Sequence, residues 1–263
     1  MTEINVAFDA ADQYELLMGR WSRAAGRRFL DWLAPQPGLD WLDVGCGTGA
    51  FTQLIAAECK PKSMTGADPA PAQIEYARNQ TSQADFRIAD AMALPFDSGS
   101  FDIVASALVI NFIPDRGKGL AEMNRVLRPG GTVAAYLWER DRHTDHSPHA
   151  PMERGMQNIG AEVLKPPIAP EATPDGARMT LERSGFADIE ITTIEVRETF
   201  RDFEDYWRIQ NLSLAPIAKS IAKLNDDQRA QLRETMQSNL TASPDGSVSY
   251  SSRALAFKAR KPS

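Results

Sequence analysis

The chain has 263 residues, 43% of them hydrophobic, which is enough to bury a large core in one domain with an embellishment. Lysine and arginine total 29 against 35 acidic residues, a net charge of -6, and no basic run could follow a phosphate backbone, so a nucleic-acid substrate is not expected. Residues 1–20 carry early acidic residues and no continuous apolar stretch, which argues against a secretory signal or membrane insertion. Only Cys46 and Cys59 are present, too few for a disulfide framework, and we expect a cytoplasmic protein.

Over the first 138 residues, short apolar runs alternate with amphipathic stretches. This pattern is typical of repeated β-α units that feed a parallel sheet, and it predicts a doubly wound α/β fold. The predicted strands cover 41–44, 63–68, 84–89, 101–108 and 132–138. Helices are predicted after residue 50, over 71–79, and through Leu120, Met123 and Leu127 up to the Pro129-Gly130 stop.

Beyond residue 138 the alternation breaks. Residues 139–173 carry histidines and prolines with one helical candidate over 152–164, and we interpret them as a lid. Regular structure resumes with a helix over 176–184 and a strand over 189–196. Residues 203–240 predict a helical insertion in which Asn225 or Asp226 caps the last helix, and a final strand covers 248–258.

A glycine-rich turn follows the first predicted strand and precedes a helix. Glycines at 45, 47 and 49 permit backbone conformations that a side chain would forbid and let a flat ligand lie on the chain. The turn alone does not name the ligand, because Gly45-x-Gly47-x-x-Ala50 also satisfies the dinucleotide fingerprint, and Asp68 lies at the spacing of its ribose-binding acid. A nicotinamide cofactor and a different nucleoside cofactor are both open at this step.

Three features favour S-adenosylmethionine over a dinucleotide. They are Asp43 before the turn, the extra Gly49, and Asp90 at the end of the third strand. A carboxylate beside the helix amides would oppose a pyrophosphate, whereas it would stabilise an ammonium and a sulfonium. Asp68 is then expected to accept hydrogen bonds from the ribose hydroxyls, and Asp90 to meet the adenine amino group.

Four stretches together resemble the class I methyltransferases of the type 11 group, which includes the ubiquinone and menaquinone biosynthesis methyltransferases. Residues 42–49 are similar to the first motif of the group, and 66–69 to the acidic end of its second strand. Residues 89–96 with 100–104 resemble the stretch that encloses adenine and enters the fourth strand, and 125–131 the approach to the fifth. Each piece alone is weakly specific, whereas the combination is highly specific.

The resemblance implies a seven-stranded sheet in the order 3-2-1-4-5-7-6 with the last strand antiparallel. By analogy, Tyr14 and Arg20 close over the cofactor, with Arg20 paired to its methionine carboxylate. The predicted cofactor-binding residues are Tyr14, Arg20, Asp43, Gly45, Cys46, Gly47, Thr48, Gly49, Asp68, Pro69, Gln73, Asp90, Ala91, Met92 and Ala107.

The predicted organisation is one structural domain in two parts. Residues 1–138 form the S-adenosylmethionine-binding α/β core with an N-terminal lid, and 139–263 complete the sheet and add a substrate cap from the lid 139–173 and the insertion 203–240. The predicted activity is methyl transfer to a small-molecule O, N or C acceptor, with S-adenosylhomocysteine as the product. A nicotinamide-dependent oxidoreductase and a non-catalytic S-adenosylmethionine-binding protein are the alternatives.

One departure concerns the catalytic base. Many relatives have histidine near the end of the fourth strand, where this chain has Asn111. In-line methyl transfer requires alignment and exclusion of water but no dedicated base, and His143 is the candidate where the acceptor must lose a proton. His143, His146 and His149 are spaced three apart, but Pro148 interrupts a helix that would align them, and no metal site is expected.

Aromatic residues of the second half have two interpretations. They could line an apolar acceptor pocket, or they could hold a cap helix to the sheet. The residues concerned are Trp138, Phe200, Phe203, Tyr206 and Trp207.

Overall fold

The computed structural model of the chain describes residues 19–140, 145–163, 169–211 and 217–263. Its helices are α1 Arg20–Leu33, α2 Ala50–Glu58, α3 Pro71–Gln80, α4 Arg116–Val126, α5 Ala150–Asn158, α6 Pro174–Arg183, α7 Phe203–Gln210, α8 Ala218–Ile221 and α9 Asp226–Asn239. Its strands are β1 Asp40–Val44, β2 Ser63–Asp68, β3 Asp85–Ile88, β4 Phe101–Ala107, β5 Leu127–Trp138, β6 Ala187–Phe200 and β7 Val248–Arg260. Short 3-10 turns cover Ile110–Phe112 and Pro170–Ala172.

The seven strands form one sheet in the order β3-β2-β1-β4-β5-β7-β6, which confirms the predicted fold. β1 pairs in parallel with β2 and β4, β2 with β3, and β4 with β5, whereas β7 runs antiparallel to β5. Every residue of β1 is buried, as expected for a strand covered on both faces. The strand order reverses between β1 and β4, and ligands of such sheets bind beyond the carboxyl ends of the strands at that point.

The structure differs from the sequence predictions mainly at element ends. Helix α4 stops at Val126 and β5 begins at Leu127, five residues before the predicted start, because Leu127 is already extended and pairs with Phe101. Helix α5 ends at Asn158 and is followed by Gly160 at φ 71°, so the predicted helix over 152–164 was too long, and its last residue lies outside the described residues. Strand β6 extends to Phe200, beyond the predicted end at 196.

Helix α1 had not been predicted. Trp21, Ala25 and Phe29 recur at helical spacing along it, and all three are buried. Among the described residues, no helix combines the length and the apolar character needed to cross a membrane.

Two compact units account for the described residues. The sheet unit comprises the described parts of Arg23–Arg142, Ile168–Ile194 and Ala254–Ser263. The helical unit comprises those of Met1–Ser22, His143–Pro167 and Glu195–Arg253. The predicted two-part organisation with its lid and cap stays a prediction.

Candidate functional site

The glycine-rich turn joins β1 to α2 within the sheet unit. Its three glycines have positive φ angles, 78° at Gly45, 52° at Gly47 and 83° at Gly49. The amides of Gly45 and Cys46 donate to the carbonyl oxygen of Ala67 at 2.7 and 3.1 Å. Hydrogen bonds to the end of β2 therefore fix a left-handed path that glycine adopts without strain.

The backbone at Gly45 also lies close to the side chain of Val109. A Cβ atom at this position would collide with the side chain of Val109. Val109 follows Leu108, a non-glycine residue at φ 61°, whose amide donates to the Tyr136 carbonyl oxygen at 2.8 Å. The turn after β1 therefore lies against the segment after β4, at the point where the strand order reverses.

Asp43 is a buried carboxyl just before the turn. Its Oδ2 accepts a hydrogen bond from Thr52 Oγ1 at 2.7 Å, and its Oδ1 has no hydrogen-bond partner among the described residues. Burial raises the pKa of Asp43 to about 7, the Thr52 hydrogen bond opposes this rise, and the nearby Asp68 charge adds to it. An unpartnered buried acceptor of this kind suits an ordered water or a cationic ligand.

Asp68 ends β2 and is held by two backbone amides. Its Oδ2 accepts from the Gly47 amide at 3.0 Å and its Oδ1 from the Ala70 amide at 2.9 Å. Each carboxylate oxygen can accept a second hydrogen bond, so the group stays able to receive ribose hydroxyls. Because one of these amides belongs to the glycine turn, the acid and the turn form a single arrangement.

Asp90 lies beyond the end of β3 and is exposed. Its Oδ1 accepts a hydrogen bond from the Met92 amide at 2.8 Å. Ala91 and Met92 are partly buried against the core of the sheet unit. This loop thus presents a carboxylate beside apolar side chains, a combination suited to the edge and face of a nucleobase.

The remaining predicted residues of the sheet unit differ in exposure. Cys46 is buried, and burial raises the pKa of its thiol, which disfavours a reactive thiolate there. Thr48 and Ala107 are half-buried, while Pro69 and Gln73 are exposed, with Gln73 Oε1 3.5 Å from where a Cβ of Gly47 would stand.

Three predicted residues remain, Tyr14, His143 and Arg20. Tyr14 and His143 are outside the described residues. Arg20 belongs to the helical unit, where its Nε lies 3.3 Å from Glu198 Oε2, its Nη2 donates to the Thr199 carbonyl oxygen at 2.7 Å, and its guanidinium lies over the Phe200 ring. A pairing of Arg20 with the cofactor stays a prediction.

The aromatic residues of the helical unit form a packed cluster. Phe200 stacks on Tyr250 with ring centroids 5.8 Å apart, and Tyr206 meets both rings edge-on. Phe203 and Trp207 stack on each other with Arg233 over both rings. For Phe200 and Tyr206, which are fully buried, this geometry favours the packing interpretation.

His146 contacts the guanidinium of Arg253. Within the described ranges, no group of three or more His, Cys, Asp or Glu side chains could hold a metal ion.

Three residues of the candidate site were not predicted from the sequence. Thr52 holds the buried Asp43 carboxyl, Val109 packs on Gly45, and Leu108 adopts the left-handed conformation that turns the chain after β4. Thr52 could have been found from its place on the first turn of the helix after the glycines. The other two carry no local signal, because their roles depend on the pairing of β1 with β4.

Residues 42–135 match the family described as methyltransferase domain. The chain is similar to an O-methyltransferase of Penicillium expansum, with 32% identity over 207 residues that cover 76% of this chain and 68% of that protein. It is also similar to the 2-methyl-6-phytyl-1,4-hydroquinone methyltransferase of Synechocystis, with 31% identity over 164 residues, 60% of this chain and 50% of that protein. The match thus spans only half the length of this second relative.

The fold resembles that of phosphoethanolamine N-methyltransferase 2 of Haemonchus contortus, solved with S-adenosyl-L-methionine. The TM-score is 0.57 at 21% identity, and the match covers 95% of this chain and 56% of that chain. At this identity the likeness supports the fold alone.

Proposed function

The chain belongs to the class I S-adenosylmethionine-dependent methyltransferases of the type 11 group, and we propose that it methylates a small organic acceptor, with oxygen as the first acceptor atom to test. Its cofactor is S-adenosylmethionine and the product of transfer is S-adenosylhomocysteine. The choice of oxygen rests on the O-methyltransferase that covers most of this chain. A cytoplasmic location stays part of the proposal.

The observation that carries the cofactor site is the grouping of the glycine turn and three acids at the carboxyl ends of β1, β2 and β3 in one unit. The Gly45 to Gly49 backbone lies against the cofactor. Asp68 accepts from the ribose hydroxyls, and Asp90 accepts from the adenine amino group beside Ala91 and Met92. Asp43 balances the positive charge of the methionine portion, through its unpartnered Oδ1 or a water bound there.

When bound, S-adenosylmethionine supplies an electrophilic methyl group on a positively charged sulfonium. The residues of this chain contribute by holding that group in line with the acceptor atom and by excluding water, and such alignment can supply much of the rate enhancement. Asp43 favours the bound cation and is not a proton carrier in this proposal. His143 accepts the proton of a hydroxyl acceptor, and an amine acceptor with a free lone pair needs no such base.

Calorimetric titration of the full chain with S-adenosylmethionine, S-adenosylhomocysteine and NAD tests the cofactor assignment. We expect binding of the first two and none of NAD. Asp85→Asn is the matched control, because Asp85 is an exposed acid of β3 that pairs with Arg87, whereas Asp68→Asn alters the proposed site. Binding of NAD alone would contradict the assignment.

Transfer itself is tested with methyl-labelled cofactor and a small-molecule extract. We expect a labelled product together with release of S-adenosylhomocysteine, and chemical identification of the product gives the acceptor atom. His143→Gln should lower kcat for a hydroxyl acceptor, with the loss smallest at low pH, where a protonated histidine cannot accept the proton. Cofactor binding with no labelled product would favour the non-catalytic alternative.

A further inference from the structure

The helical unit contains a cavity of about 900 Å³, and no described residue of the proposed cofactor site lines it. Its wall combines residues of α5, β6, α9 and β7 with the segment between α9 and β7, all within the one unit. Its volume lies in the range of small-molecule sites. The cavity is therefore large enough for a small organic ligand.

Two arginines line this cavity, Arg154 from α5 and Arg197 from β6. Among the residues that the structure describes, none of those lining the cavity is acidic, and neither arginine forms an ion pair with a carboxylate. Within the described ranges, the one hydrogen bond of Arg154 is long, 3.4 Å to the Asp145 carbonyl oxygen. This contrasts with Arg208 and Arg233 of the same unit, which pair with Asp205 and Glu204.

Arg197 is oriented by a hydroxyl rather than a charge. Its Nε and Nη2 donate to Ser249 Oγ at 3.0 and 2.6 Å. The Nη1 group, one proton of Nη2 and the Ser249 hydroxyl proton are left as donors. A guanidinium held at one edge with its other edge free presents the fork that binds carboxylate or phosphate oxygens.

A further polar group near Arg154 lies inside the unit but does not line the cavity. The hydroxyl of Tyr206 is buried and has no hydrogen-bond partner among the described residues. Burial raises the pKa of this hydroxyl, and the positive charge of Arg154 acts in the opposite direction. The neighbouring Tyr250 lines the cavity, and its hydroxyl donates to the Pro148 carbonyl oxygen at 2.8 Å.

Two helix C-termini lie at the cavity and partly oppose the charge of the arginines. Asn158 ends α5 and Asn239 ends α9, and both residues line the cavity. A helix C-terminus carries about half a negative charge, so the two together offset only part of the charge of two guanidinium groups. Arg154 and Arg197 are the only charged side chains among the described residues of the lining, while Met236, Leu240 and Pro151 supply an apolar side.

We propose that this cavity binds a small organic anion, whose carboxylate or phosphate group lies between Arg154 and Arg197 and whose apolar part contacts Met236 and Leu240. The inference stands apart from the proposed cofactor site, because none of the described residues proposed to bind the cofactor lines this cavity.

The test is calorimetric titration of the full chain with phenyl phosphate and with benzoate, using benzyl alcohol as the neutral probe. We expect both anions to bind and the alcohol not to, with the tighter anion identifying the phosphate or carboxylate class. Arg197→Gln and Arg154→Gln should each weaken binding about tenfold. Arg197→Lys keeps the charge and should lose less, and Arg208→Gln is the matched control.

Thermal unfolding and S-adenosylmethionine titration of each variant separate this proposal from the cofactor site. We expect every variant to bind the cofactor as the parent does. Equal binding of the anions by parent and arginine variants would overturn the proposal, as would no binding of either anion at millimolar concentration. Loss of thermal stability in the arginine variants without loss of anion binding would assign these side chains to neutralising the helix ends, which also overturns it.

Discussion

The turn of the sheet unit and the cavity of the helical unit are built in different ways. The turn is made by backbone: three glycines at positive φ, and amides that donate to Ala67 and Asp68. The cavity is made by side chains from four separate elements. A site that the backbone of one turn forms requires particular residues at fixed spacing, so it leaves a motif in the sequence. A site that side chains of separate elements form, such as this cavity, leaves no local motif.

The two regions also differ in charge. The sheet unit groups the carboxylates of Asp43, Asp68 and Asp90. In the helical unit, two arginines line the cavity, and neither pairs with a carboxylate of the described residues. By charge alone, the first suits a cationic ligand and the second an anionic one. Substitutions in one region should therefore affect one class of ligand.

The largest effect is expected for Gly45→Ala. The new methyl group would meet the Val109 side chain at a position of φ 78°, so strain and overpacking add. We expect the free energy of unfolding to fall by about 2–4 kcal/mol and cofactor binding to be lost. Chemical denaturation and calorimetry measure the two effects.

Gly38→Ala is the control for that substitution. Gly38 has φ 80° and nothing within 4 Å of its would-be Cβ, so only the strain of about 1 kcal/mol is expected, with cofactor binding retained. Similar losses in the two variants would mean that the contact with Val109 contributes little.

Asp68→Asn should reduce cofactor affinity by about tenfold to a hundredfold. Asparagine keeps one acceptor oxygen where the carboxylate has two, so the Gly47 or the Ala70 amide loses its partner and the ribose loses an acceptor. Calorimetry with S-adenosylmethionine measures the loss. Unchanged affinity would remove Asp68 from the site.

Gly45 and Asp68 belong to the part of the molecule that the sequence could predict, and other parts could not be predicted. The strands and the glycine turn with its three acids were predictable, because apolar periodicity and turn residues are local. The strand order came from the resemblance to the type 11 methyltransferases and not from periodicity. The Asp43–Thr52 hydrogen bond was missed although it joins residues only nine positions apart. The start of β5 at Leu127 and the Gly45–Val109 approach depend on pairing between distant segments and were missed for that reason. The Arg154–Arg197 cavity was missed for the same reason.

Because of Asp43, we expect both the stability and the cofactor affinity of the sheet unit to depend on pH. Burial raises the pKa of this carboxyl to about 7 from 3.8, so between those values the folded chain keeps a proton that the unfolded chain has lost. The contribution of Asp43 to the free energy of unfolding is therefore full below about pH 4 and is lost as the pH rises through about 7. A bound cation favours the ionised carboxyl, so cofactor affinity should rise about tenfold from about pH 6 to about pH 8.

Calorimetry across this pH range measures the effect. Asp43→Asn should remove it, and any remaining dependence then belongs to the amino group of the ligand. Thr52→Val removes the hydrogen bond that lowers the Asp43 pKa, so the midpoint should move to higher pH. A midpoint unaffected by either substitution would exclude Asp43 as the titrating group.

The smallest effect is expected at the start of α9 in the helical unit. Asn225 Oδ1 accepts from the Gln228 amide at 2.9 Å, and Gln228 Oε1 accepts from the Asn225 amide at 3.1 Å, forming a capping box. Asn225→Ala should cost about 1 kcal/mol of unfolding free energy, and Asn225→Ser, which keeps an acceptor, should cost less. Because this helix cap and the glycine turn belong to different units, cofactor affinity should not change in either variant. If calorimetry instead shows affinity falling together with the unfolding free energy, then the folding of the helical unit contributes to cofactor binding, and the two regions cannot be treated as independent.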